Sequence, residues 1–108
     1  MANTIPTAVS SLGDSFECIV LDSDRVSTLS VGSTSTETVH ELAQATTLIM
    51  VSVGTEGSGV YVYRGDVFTA PKSWHLRPGD HPFNVAGGER TLRFRAADEA
   101  TVVKILEN

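Results

Sequence analysis

Residues 47–95 restrict the fold more than any other stretch. They run TLIMVSVGTEGSGVYVYRGDVFTAPKSWHLRPGDHPFNVAGGERTLRFR. Two β-prone runs, 47–53 and 60–64, flank residues 54–59, of which three are glycine. Val, Ile, Thr and Tyr suit a pleated, half-buried surface, and glycine lets a backbone reverse where φ must be positive. The pattern predicts a hairpin with a long loop. In the first run Leu48 and Met50 oppose Ile49, Val51 and Val53; in the second Val60 and Val62 oppose Tyr61 and Tyr63. Apolar residues on both faces indicate central strands, or a face covered by a partner chain. Tyrosines on such a face suit subunit contacts, because they bury a large area and keep a polar tip. The alternative is packing beneath a loop of the same chain.

The same grammar extends in both directions. Residues 16–21 read as a strand, 22–25 as a turn and 26–31 as a second strand. For 36–45 a strand over 36–42 is favoured by Thr36, Thr38 and Val39, against a helical turn near Ala43. Residues 67–70 form a short β run ended by Pro71. Trp74 and Leu76 share one side of the next strand, with His75 on the other. Arg77-Pro78-Gly79-Asp80 has the residues of a type II turn. The run 81–85 reads as an edge because of Pro82. In 91–95 Leu92 and Phe94 point inward while Arg93 and Arg95 point outward, and 101–106 closes the fold. Turns every few residues and no convincing amphipathic helix predict an all-β domain, a β-sandwich or jelly roll of about eight to ten short, mostly antiparallel strands. At 108 residues the chain is one domain, expected to comprise an extended, flexible N-terminal arm over 1–15 and a β-sandwich over 16–108. Scattered apolar residues in the arm, Ile5, Val9 and Leu12, are candidates for lying across a neighbouring subunit.

The net charge of −5 argues against general nucleic-acid binding, which needs clustered Lys and Arg to neutralise phosphate. Arg93 and Arg95 read as a solvated or subunit-facing side of their strand. The single cysteine, Cys18, lies in an apolar run and cannot form an internal disulfide; it reads as a core residue. The N-terminus lacks the charge and apolar run of a signal peptide, and no stretch is long and apolar enough for a membrane helix. The expectation is a protein made in the cytoplasm.

Searches for chemistry along the sequence end without a constellation. His40, His75 and His81 lack the spacing of the cupin metal pattern, which needs two histidines separated by one residue, a following glutamate and a later histidine. No serine sits in a G-x-S-x-G elbow. The carboxylate pairs Asp22/Asp24 and Asp98/Glu99 fall in turns. Gly54, Gly57 and Gly59 lie between strands, with no downstream helix to make a phosphate loop. No catalytic residue, cofactor or metal site is expected. Trp74 has two readings: a core residue, or an aromatic platform for a sugar.

The apolar strand, the glycine-rich loop, GVYVYRGD, Ala70-Pro71, Leu-x-Pro-Gly-Asp and F-x-V before a glycine turn together resemble small β-sandwich virion proteins of tailed bacteriophages. These decorate or cement the head, or act as head–tail accessories. The resemblance covers about the C-terminal two-thirds and lies in composition and rhythm. It implies a non-enzymatic capsid decoration or cement protein of the virion, a homotrimer or other symmetric homo-oligomer, bound to the major capsid protein lattice or another virion protein. It implies no nucleic-acid or membrane partner. Tyr61, Tyr63, Arg93 and Arg95, with Ile5, Val9 and Leu12 of the arm, are the interface candidates. A tail or head–tail role is the nearest alternative, and a carbohydrate-binding module using Trp74 is the alternative of a different class.

Overall fold

The structure, a computed structural model, describes residues 19–32 and 34–108, together with the strand backbone at 7–9 and 15–17. Ile5, Leu12 and Cys18 lie outside the described residues, as does the side chain of Val9. The strands are β1 (Thr7–Val9), β2 (Ser15–Glu17), β3 (Val26–Val31), β4 (Thr38–Glu41), β5 (Leu48–Val53), β6 (Val60–Arg64), β7 (Trp74–Leu76), β8 (Gly79–Asn84), β9 (Thr91–Ala96) and β10 (Thr101–Glu107). Short 3-10 turns occupy Ser23–Arg25 and Ala70–Lys72.

Eight strands form two antiparallel four-stranded sheets, in the orders β3-β10-β5-β8 and β4-β9-β6-β7. Apart from the β6–β7 hairpin, each successive strand from β3 onward crosses to the other sheet, which is the winding of a jelly roll. β1 and β2 pair separately as a two-stranded ladder, with Ala8 opposite Phe16. The segment expected as an extended, flexible arm contains the strand Thr7–Val9.

Period-two alternation builds the core. Ile49, Val51 and Val53 of β5 and Val103 and Ile105 of β10 face Val60, Leu92 and Phe94 from the opposite sheet. Phe94, at 0% exposure, is the largest fully buried side chain. Each such residue contributes about 1.5–3 kcal/mol by leaving water. Asp98 joins two loops at one end, its carboxylate accepting from Ser58 N and Oγ at 2.8 Å each. These bonds and one from the Glu99 amide hold its carboxyl below the usual carboxylate range.

Three expectations need correction. The run 16–21 is strand only to Glu17; Val20 instead pairs with the Asn108 side chain, whose Oδ1 accepts from Val20 N (2.6 Å) while its Nδ2 donates to Val20 O (3.0 Å). Residues 67–69 are not a strand. That segment loops back over the outer face of the β4-β9-β6-β7 sheet, because Phe68 finds burial there. Trp74 is not a core residue: it is 70% exposed, since β7 is a three-residue edge strand whose core position goes to Leu76. The strand choice for 36–42 agrees with β4, and β8, which contains Pro82, is an edge.

Candidate functional site

Three surfaces hold the residues singled out by sequence. The first is the outer face of the β4-β9-β6-β7 sheet. Antiparallel register places Tyr61 opposite Arg95 and Tyr63 opposite Arg93, so the four strand candidates do come together. Loop 65–73 then covers much of them. Arg93 Nε donates to Gly65 O at 2.9 Å. The Phe68 ring lies 6.0 Å from Tyr63, and the Arg95 guanidinium stands 4.1 Å from the Phe68 centroid. Arg95 also reaches Glu37 at 3.3 Å. Tyr61 is the exposed one of the four, at 38%, with its ring stacked on His75 at 4.9 Å between centroids.

The second surface was foreshadowed in the sequence only at Leu48 and Met50, which share one face of β5. On the outer face of the β3-β10-β5-β8 sheet, register aligns Val26, Leu106, Met50 and Pro82 in one row across all four strands. Leu48 adjoins this row from the end of β5, and Val102 lies exposed farther along β10. Solvent-facing positions of a two-sheet sandwich are ordinarily polar. The signal was present in the apolar residues Leu48, Met50 and Leu106 at off-core positions, but only the pairing register reveals a continuous row.

The third is a cleft of about 320 Å³ between the sheets. Ile49, Val62, Phe83 and Leu92 contribute to its apolar walls; Arg64, Lys72, Trp74 and Asn84 also line it. Arg64 Nε donates to Glu89 O (2.6 Å) and its Nη2 to Val85 O (2.9 Å) and Gly87 O. Arg90 Nη2 donates to the same Val85 and Gly87 carbonyls, and its Nη1 to Ala43 O and Thr46 O. The two arginines thereby fix the loop 85–90.

No protein-family model, curated protein or solved structure matches the chain. What the molecule can do is read from its own chemistry.

The histidines are dispersed. His75 Nε2 lies 2.7 Å from Ser58 O, and His81 Nε2 lies 2.6 Å from Arg77 O. His40 is buried, its Nε2 donating to Glu107 Oε2 at 2.9 Å. Glu107 Oε1 accepts from Ala43 N (2.9 Å) and Thr46 Oγ1 (2.7 Å), and Arg25 Nη2 donates to Thr46 Oγ1 at 3.0 Å. Burial alone raises the Glu107 pKa. The hydrogen bonds from Thr46, Ala43 and His40, with the attraction of His40, outweigh it and hold the carboxyl below its ordinary range. This network joins β4 of one sheet to β10 of the other. Among the described residues no three His, Cys, Asp or Glu side chains gather as a metal site, and no helix is long and apolar enough to cross a membrane.

Proposed function

We propose that the chain is a non-enzymatic structural subunit of a tailed-phage virion, a capsid decoration or cement protein docked on the lattice of the major capsid protein. The observation carrying this reading is the apolar row Val26–Leu106–Met50–Pro82, because such a line on a solvent-facing sheet gains free energy when further copies of the chain cover it, and the oligomer so built docks on the shell through its remaining surfaces. The fold is compatible, since jelly rolls serve in viral capsid domains, although a fold alone assigns no role. Many copies on a shell add weak contacts into firm attachment. A tail or head–tail position uses the same oligomer.

The proposed oligomer is a homotrimer, with the apolar row as its contact. Burying a large apolar side chain contributes about 1.5–3 kcal/mol, so Leu106→Lys is expected to weaken self-association at least about tenfold. Light scattering on a size-exclusion column checks this: trimer mass for the unaltered chain, monomer mass for the variant, and an unchanged circular dichroism spectrum. Equal masses for both proteins remove the row from the interface. A monomeric unaltered chain removes the self-assembly claim, leaving shell binding to be judged by co-sedimentation with virions.

The exposure of Trp74 favours a second reading, a carbohydrate-binding module. In that case Trp74→Ala abolishes binding on a glycan array; retained binding excludes the indole as the platform.

A further inference from the structure

The cleft beneath Trp74 has features that a virion contact does not use. Its volume of about 320 Å³ lies at the lower end of the range for small-molecule sites. Ile49, Val62, Phe83 and Leu92 in its walls offer no hydrogen-bonding side-chain atom to a ligand. A hydroxyl seated against those four residues would lack a partner, at a cost of about 1–3 kcal/mol; the polar side chains of the lining are those of Tyr63, Asn84, Arg64 and Lys72. The cleft therefore suits an apolar body.

Its charge is the second observation. Arg64 and Lys72 both line the cleft, and Arg90 shares the carbonyls of Val85 and Gly87 with Arg64. Among the described residues the contacts of a basic side chain with a carboxylate are His40–Glu107 and Arg95–Glu37, so none of Arg64, Lys72 and Arg90 has a carboxylate partner. In a chain of net charge −5, two such cations in the lining of one cleft, with Arg90 behind Arg64, are a local reversal of sign. Lys72 is exposed, and while its backbone N donates to Thr69 O, its ammonium has no hydrogen bond to a described residue and can meet an anionic head group.

We propose that this cleft binds a small organic carboxylate with an apolar body, the body between the sheets, the carboxylate at Lys72 and Arg64, and the Trp74 indole over the entrance. The proposal is independent of the virion reading and concerns a different surface.

Trp74 is the single tryptophan, so its fluorescence reports directly on the site. Octanoate titrated into the full-length protein is expected to shift the emission to the blue and saturate. Acetate, which lacks the body, gives no shift. 1-Octanol, which lacks the charge, binds at least about threefold more weakly, and Lys72→Gln weakens octanoate by a similar factor, as loss of a partly exposed ion pair does. Amide chemical shifts at Val62 and Leu92 must move along the same titration curve. Flat fluorescence together with unmoved amides overturns the proposal. Equal binding of octanol and octanoate, with Lys72→Gln silent, overturns the anion site. A shift caused by maltotriose and not by octanoate assigns the cleft to a neutral sugar, and one that follows protein concentration alone assigns it to a second copy; either result also overturns the proposal.

Discussion

Gly59→Ala is expected to destabilise the domain by about 3 kcal/mol or more, the sum of left-handed backbone strain and a steric clash. Gly59 sits just before β6 with φ +97°, a conformation that L-residues adopt only at a cost. A methyl group there would penetrate the Leu76 carbonyl oxygen and lie 3.0 Å from Arg77 Cα, both backbone groups that cannot rotate away. The site also fixes the loop opposite, since Ala97 N donates to Gly59 O at 3.0 Å. Yielding at Gly59 therefore disturbs the β6–β7 pairing and the approach to β10 together. Urea denaturation checks the effect. Gly32→Ala is the control, because a Cβ at Gly32 meets nothing within 4 Å and is expected to change stability little. Similar denaturation midpoints for the two variants would contradict the clash.

The same glycine marks how far the fold was legible. Its place between two β runs predicted a reversal, while the proximity of Leu76 depends on β7 returning beside β6. Strands β5, β6, β9 and β10 were readable from their β-prone runs. The inward face expected for β9, Leu92 and Phe94, is the buried one. The two faces of β5 and β6 were separated without a choice between them, and Ile49, Val51, Val53 and Val60 prove to be buried. Segments with β propensity but no partner were misread. Residues 67–70 carry Val, Phe and Thr, yet the hairpin leaves Phe68 free to cover Tyr63 and Arg95. Val20 met a side-chain amide where a strand backbone was expected. Trp74 stayed open between a core residue and an exposed platform, and only its position at the start of a short edge strand shows it exposed and lining the cleft. The surfaces suffered most. The apolar row and the cations Arg64 and Lys72 arise from register and loop closure across distant positions, which no local period encodes. His40 and Glu107 are 67 residues apart, and an isolated Glu near the end of an alternating strand reads as solvated.

That buried pair carries the second large effect. Glu107→Leu is expected to lose about 3 kcal/mol, because removing one partner of a buried pair strands the other. Here it strands His40 Nε2, the Ala43 amide and the Thr46 hydroxyl at once, with Arg25 and Asp24 close by along the same hollow. Glu107→Gln is a milder change, since its carbonyl can still accept from Ala43 and Thr46 and its amide can face the His40 ring. The two variants separate shape from charge. The sign of the pH dependence follows from the carboxyl being held below its ordinary value of 4.5 in the folded state. Its contribution is complete above the unfolded-state value and is lost as pH falls through the folded-state value. Asp98, also lowered, acts in the same direction at the other end of the sandwich. Unfolding by urea at about pH 7 and about pH 3.5 tests the linkage: the unaltered chain loses more stability on acidification than Glu107→Gln does, the difference being the Glu107 share. Parallel acid losses in the two proteins would show that the clamp between β4 and β10 acts through packing and not through the ionised carboxylate.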